Sequence, residues 1–327
     1  MWWGRGPQIR HRGTRGRFGR MRHWWKEKTS FAVFTLPGAF WIIVFFTLPL
    51  VIVWVYSFCG RGPQGQIIYD FSFDNYLRAL EALPLKIIAK SLWIAALSTI
   101  ICLLVGFPMA MGIAFAPAKW KNPLLVLVAL PFFTNQLVRT YSWIAILRTN
   151  GFLNQSLRWL CETLGSGFDS VLSLVGLQAD LLPYQPLELL YNQWAVIIGI
   201  VYVNLPFLVL PLYATLEKFD RSYLEASLDL GATQWRTFFL VLVPLALPGI
   251  VSGTMLAFIL AVGSYLQPKV LGGPDSEMIG TLIDRQFRDA RDAPFGSALS
   301  FLLLYATFIL LWLRAALAQR SKGADFA

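Results

Sequence analysis

The chain has 327 residues, of which 56% are hydrophobic and only 14% charged, with a mean hydropathy of +0.57. A soluble domain carries roughly 25% charged residues, so this much apolar surface cannot be hidden in soluble cores, and the composition is that of an integral membrane protein. It excludes a disordered tail protein, a disulfide-rich secreted module and most soluble enzymes, and two His and three Cys leave little material for a metal centre.

The net charge of +10 is concentrated at one end: residues 1–30 hold nine Lys and Arg against a single acid, Glu27. An Arg/Gly-spaced arm of this kind can bind RNA or anionic lipid. The alternative is a cytoplasmic flank that orients the first membrane span, with Trp24 and Trp25 at the headgroup interface. That alternative is adopted, with no nucleic-acid partner expected. The apolar segment that follows, about Val33 to Ser57, is too long for a signal-peptide core of roughly 7–15 residues. No small-x-small cleavage site closes it, and Tyr56-Ser57-Phe58-Cys59 is a poor lipoprotein signal, so the segment is expected to stay in the membrane.

A helix needs about 20 mostly apolar residues to cross the hydrocarbon layer. Six stretches qualify, at about 33–57, 89–115, 123–148, 192–216, 243–268 and 295–318. The runs are unbroken and lack the polar alternation of a barrel strand, so the fold class is all-α. Prolines recur within or near them (Pro37, Pro49, Pro108, Pro131, Pro206, Pro211, Pro244, Pro248), which neighbouring helices can accommodate. With the N-terminus inside, the inner segments carry 16 Lys and Arg and the outer loops 8, so both termini are expected to be cytoplasmic. Twelve of the 18 acids fall in the outer loops and none in a span. A proton- or sodium-coupled carrier usually needs an intramembrane carboxylate, and an ATP-independent secondary transporter is accordingly the less favoured mechanism.

Arg139 is the one charge well inside a span; it either lines a path or braces neighbouring carbonyls. Lys90 and Arg314 read as snorkelling anchors near span ends. Cys102 lies in a span, whereas Cys59 and Cys161 both map outside, where oxidation is possible but pairing is not favoured. No phosphate-cradling G-x-x-x-x-G-K-[ST], H-E-x-x-H or G-x-S-x-G motif occurs. The acid pair Asp289/Asp292, interleaved with Arg288 and Arg291, reads as a solvated face. No catalytic residue and no metal ligand are assigned.

The inner loop over 217–242 is different. Asp220 or Ser222 can begin a helix there, with Glu225 in capping-box register to Ser222 and Gly231 suited to its end. Tyr223, Ala226 and Leu230 would form a narrow apolar stripe, a docking knob for a soluble partner or a face lying on headgroups.

Glu225-Ala226-Ser227, three residues, Gly231, nine residues and Val241-Leu242-Val243-Pro244 resemble the signature loop of bacterial ABC-importer permeases, Glu-Ala-Ala, three residues, Gly, nine residues, Ile-x-Leu-Pro. Ser227, Val241 and Val243 depart conservatively. The resemblance covers about 85–318 and implies a type I importer permease fold in a bacterial inner membrane. In that fold Glu225, Ala226, Ser227, Leu228, Asp229, Gly231 and Pro244 would belong to the ATPase-coupling loop. The implied partners are a cytoplasmic ABC ATPase dimer carrying ATP and Mg, a second permease subunit forming a heterodimer, and a periplasmic or extracellular binding protein. No cofactor is expected in this chain.

A narrower resemblance, to spermidine/putrescine permeases, is carried by Ser72-Phe73-Asp74-Asn75-Tyr76, the run Leu130 through Arg139, Asn150-Gly151-Phe152-Leu153-Asn154, Val270 through Ser276, and Arg291-Asp292-Ala293-Pro294-Phe295-Gly296. It implies polyamine import by alternating access, with related machinery for opines, amino-acid derivatives, thiamine or iron as the alternative. A polyamine needs carboxylates and aromatic faces for its ammonium groups. Asn135, Arg139, Tyr141, Trp143, Asn204 and Tyr265 are the candidate path residues, each also able to serve as interhelical glue. The expected organisation is a basic arm (1–30), a six-span domain (31–320) and a short cytoplasmic tail (321–327).

Overall fold

A computed structural model describes residues 28–173 and 186–324, in two units divided after Tyr56. Most of the basic arm, residues 174–185 of the 165–190 stretch and residues 325–327 lie outside the described residues. The first unit is one long apolar helix in three parts: α1 (Lys28–Ile42), a π-helical turn (Ile43–Thr47) and α2 (Leu48–Tyr56). At the end of the wide turn the Leu48 N–H donates to the Ile43 carbonyl, just before Pro49. Proline has no N–H to donate and its ring crowds the carbonyl four residues back, so widening the helix there relieves the clash.

In the second unit a two-stranded hairpin, β1 (Gly60–Arg61) and β2 (Ile67–Ile68), pairs antiparallel with Gly60 opposite Ile68. It is followed by α3 (Asp74–Ala79) and α4 (Ala82–Phe115), then α5 (Ala118–Ala129), a 3₁₀ turn (Leu130–Phe133), α6 (Gln136–Leu147) and α7 (Phe152–Ser173). Next come α8 (Gln193–Leu216), α9 (Ser222–Asp229) and α10 (Gln234–Thr237), the last running through a second π turn (Phe238–Leu242) into α11 (Val243–Val262). The unit closes with α12 (Leu266–Leu271), α13 (Ile279–Arg288) and α14 (Ala293–Ala324).

Five of the predicted spans are present as long apolar helices, and the sixth exists as a bent pair. That exception is the third run, expected to be unbroken over 123–148: Ala118–Phe133 and Gln136–Cys161 meet at 96°. Pro131 lies in the 3₁₀ turn, Thr134 and Asn135 are extended, and the Asn135 side chain accepts from the Leu137 N–H at 2.8 Å. A new helix therefore starts where the sequence suggested continuity, with its freed donor capped. The fifth span begins earlier than residue 243, at Gln234, because Thr233 caps a helix that runs straight into the apolar stretch. The loop proper is thus 217–233. Its π turn repeats the pattern of the first unit: the Val243 N–H reaches Phe238, and Pro244 follows.

The core is formed by α4, α8 and α11, with Phe107, Ala110, Leu208, Leu212, Leu242 and Ala257 buried together. Along α11 the residues facing α8 are small: Ala246, Gly249, Gly253 and Ala257 are all buried. A methyl group on Gly253 would lie 2.8 Å from the Leu208 carbonyl oxygen, so backbone meets backbone there. Small residues of this kind let helices approach in lipid, where apolar side chains alone give no preference for protein over acyl chains. Asn204 adds a hydrogen bond across the same contact, from Nδ2 to the Ala257 carbonyl at 3.4 Å.

The end of the unit that carries α3, α13 and the start of α14 is knitted by buried polar groups. Asp292 is only 1% exposed and lies 3.1 Å from Arg78 and 3.7 Å from Arg61. It also accepts from the Phe295 N–H at 3.2 Å, opening α14. Arg78 stands 4.3 Å over the Phe295 ring and donates to Asn75, which itself donates to the carbonyls of Ser57 and Cys59. The reading of Asp289/Asp292 as a solvated face is therefore corrected for Asp292, because two arginines from 214 and 231 residues away supply its counter-charge. No disulfide joins the three cysteines; Cys59 and Cys102 are buried and Cys161 is exposed.

The α8–α11 contact yields the first prediction. Gly253→Ala should lower the thermal stability of purified protein by about 1–3 kcal/mol, the usual cost of overpacking. Gly112→Ala on α4, where an added methyl meets nothing within 4 Å, should be neutral or stabilising. Melting monitored by size-exclusion chromatography in detergent compares the two.

Candidate functional site

The 217–233 segment projects from the ends of α8 and α11 and folds as a single short helix. Asp220 accepts from both the backbone N–H and the hydroxyl of Ser222, at 3.0 and 2.7 Å, which sets the chain on course for α9. Those hydrogen bonds, the side-chain one first, hold the Asp220 carboxyl below its ordinary range. Ser222 is thus occupied by Asp220, Arg221 takes the cap position, and the expected Ser222/Glu225 capping box does not form.

The other end of α9 closes as the sequence suggested. The Gly231 N–H donates to Leu228 at 2.9 Å and the Ala232 N–H to Ser227 at 3.1 Å, the paired bonds of a Schellman motif. Gly231 has φ +86°, a conformation a side chain resists. One face of α9 is turned inward, with Leu224 packed on the core cluster and the Ser227 hydroxyl 3.0 Å from that of buried Thr237. The opposite face is open: Tyr223, Glu225, Ala226, Leu228 and Asp229 are exposed, and Leu230 is 88% exposed. The predicted stripe of Tyr223, Ala226 and Leu230 therefore faces outward, flanked by two carboxylates. Pro244 is exposed at the start of α11, below the π turn.

The six path candidates are distributed. Asn135 caps α6 at the bend, and Asn204 is 6% exposed and ties α8 to α11. Tyr141 and Tyr265 are exposed, with no ring contact or side-chain hydrogen bond joining either to the other candidates among the described residues. Arg139 and Trp143, one turn apart on α6, do come together, around a residue the sequence reading missed. The Tyr202 ring on α8 meets Trp143 edge-on at 5.5 Å and lies 6.0 Å from the Arg139 guanidinium carbon. The buried Nε of Arg139 has no hydrogen-bond partner, and its side chain makes no hydrogen bond to a carbonyl among the described residues. Tyr202 gave no signal in the sequence because α8 is apolar and aromatic over its length, and only the α6–α8 packing distinguishes this tyrosine.

The structure is thus an apolar multi-span core with an outward-facing helix between the fourth and fifth spans, and comparison with known proteins gives its class. Residues 18–323 match the family described as binding-protein-dependent transport system inner membrane component. The chain belongs to that family, and it is a multi-pass inner-membrane permease subunit of an ABC importer. Among its relatives, the spermidine/putrescine transport system permease protein PotB of Salmonella typhimurium is 35% identical over 297 residues, covering 90% of this chain and 96% of that one. PotB of Escherichia coli is 36% identical over 279 residues, covering 85% and 94%. A crystal structure of a bacterial alginate ABC transporter in complex with an alginate pentasaccharide-bound periplasmic protein superposes with a TM-score of 0.64, covering 93% of this chain and 97% of that one. At 15% identity this likeness speaks for the fold alone.

The Gly231 geometry gives a prediction independent of transport. Because an added Cβ meets nothing within 4 Å, the penalty at this position is one of backbone conformation. Gly231→Ala should destabilise the end of α9 by about 1 kcal/mol, read as roughly five-fold faster hydrogen exchange of the 224–232 amides. Gly231→Asn should cost less.

Proposed function

We propose that this subunit imports polyamines, spermidine and putrescine, and that α9 is its seat for a cytoplasmic ATPase. The observation that carries the substrate is the 35–36% identity to spermidine/putrescine permeases across nearly the whole chain. The ATPase seat is supported by the geometry of α9, whose open face presents Tyr223, Ala226 and Leu230 between Glu225 and Asp229 while Leu224 and Ser227 hold it to the core. The subunit works with a second permease half, an ATPase dimer that holds ATP and Mg²⁺, and a soluble receptor that selects the solute. ATP binding closes the ATPase dimer and moves α9; the spans then open toward the receptor, and hydrolysis resets them. Taken together, the inner segments carry 16 Lys and Arg and the outer loops 8, most of the difference coming from the N-terminal arm, and this supports a cytoplasmic side for the 217–242 segment and both termini.

Within the spans, Tyr202 and Trp143 offer aromatic faces to an ammonium group. Arg139 lies against Tyr202 and not on backbone carbonyls among the described residues; a guanidinium there repels an ammonium group, so on the polyamine reading it turns away or pairs when solute passes.

Reconstituted with its ATPase, second permease half and receptor, the complex should take up spermidine or putrescine in an ATP-dependent manner. Uptake of neutral or anionic solutes alone would remove the polyamine assignment and leave the permease class standing. Gly231→Arg should insert normally, since no span changes, but lose ATPase co-purification or uptake. Full uptake at normal expression would remove α9 from the coupling role.

A further inference from the structure

Three core helices must respond when α9 moves, and they are attached to it in different ways. The chain joins α9 to α8 through 217–221 and to α11 through 230–242, and the Ser227–Thr237 hydroxyl pair at 3.0 Å reinforces the second connection. The helix α4 has no such route, since more than 100 residues separate its end at Phe115 from Arg221. Its polar attachment is made by side chain. The Arg221 guanidinium donates to the Phe115 carbonyl at 3.1 Å, and its central carbon lies 5.3 Å from the Phe115 ring centroid.

Both halves of this contact have a physical reason. Phe115 is the last residue of α4, so its carbonyl is among the four that a helix leaves without an intrahelical partner. That end also carries the negative pole of the helix dipole, which favours a cation. A guanidinium can give a planar donor edge to the carbonyl while its face meets an aromatic ring, whereas an ammonium is a point charge without such a face. Arg221 is meanwhile the residue on which α9 begins, its own carbonyl accepting from the N–H groups of Leu224 and Glu225 at 2.9 and 3.1 Å. One residue thus starts the moving helix and grips the end of a core helix. A neighbouring link, Lys121 on α5 to Glu217 at 3.7 Å, ties the helix that follows α4 to the end of α8. Leu224 also packs on the core cluster, but an apolar contact can slide, while a hydrogen bond with a ring contact fixes direction and distance.

We infer that Arg221 is a positioning residue for transport: its latch on the Phe115 carbonyl and ring carries displacement of α9 into α4, so that the core helices move together. This rests on α9 being the ATPase seat. Arg221 faces α4, apart from the open face of α9, so the inference separates seating of the ATPase from transmission of its stroke.

The test uses the complete complex in proteoliposomes, with the receptor as purified from cells carrying its own solute. Membrane level, ATPase co-purification, basal ATP hydrolysis and receptor-stimulated hydrolysis are measured for wild type, Arg221→Ala, Arg221→Lys, Phe115→Leu and Gly231→Arg. Arg221→Ala should assemble with its ATPase and keep basal hydrolysis, but lose at least half of the receptor stimulation, because the signal crossing the core no longer reaches α9 through α4. Arg221→Lys should recover part of it. Phe115→Leu, which removes the ring and keeps the carbonyl, should show a smaller loss that is not additive with Arg221→Ala. Unchanged stimulation in Arg221→Ala at normal assembly would overturn the latch. So would loss of the ATPase itself, which would make Arg221 part of the seat. If Arg221→Ala does not accumulate, Arg221→Gln and Phe115→Leu carry the same reading, and wild-type stimulation in both overturns it. Full ATPase retention and stimulation in Gly231→Arg would instead defeat the α9 seat, a separate outcome.

Discussion

In a lipid solvent, burying an apolar side chain between helices gains little over leaving it against acyl chains, so the approach of α11 to α8 has to be held by close packing and by the few polar groups that cross it. The bare backbone of Gly253 against the Leu208 carbonyl is what makes that approach close enough. Buried Ala246, Gly249 and Ala257 continue the same face, and the Asn204 amide reaches across to the Ala257 carbonyl. The position of α8 follows from this contact, and with it the placing of Tyr202 beside Arg139 and Trp143 on α6.

The two ends of the core are held by different chemistry. At the end bearing α3, α13 and the start of α14, a buried carboxylate gathers two arginines and a helix N-terminus, so that Asp292 fixes three chain segments at once. Burying that charge is tolerable only because its partners and hydrogen bonds are complete. At the end bearing α9 the polar links among the described residues are few and sit near the surface: a hydroxyl pair, an ion pair and an arginine on a helix end, beside the apolar packing of Leu224.

Prolines and π turns show how a helix continues through a residue that cannot donate a hydrogen bond. Pro49 and Pro244 each follow a turn in which the preceding residue donates one position further back than in an α-helix, and the chain continues without a break. At Pro131 the solution differs: a 3₁₀ turn and two extended residues end one helix, and Asn135 starts another at 96°. The same residue type thus gives a widened helix in two places and a re-aimed one in the third, because only at the third does a capping side chain follow.

Much of the protein was legible in residues alone. The number of apolar runs, the all-α class, the helix at 222–229 and the left-handed turn at Gly231 are consequences of local composition and spacing, which act over a few residues. The structure decided what depends on distant partners. The Ser222/Glu225 capping box gave way to Asp220, a nearer acceptor two residues away. Asp292 left the solvated face to which its charged neighbours assigned it, because Arg78 and Arg61 arrive from the other end of the sequence. Tyr202 acquired a role from α6, and Arg221 from the end of α4. Local sequence sets which segments are helical and apolar. Which side chain meets which is set by helix packing, and that depends on surfaces brought together from dozens to more than two hundred residues apart.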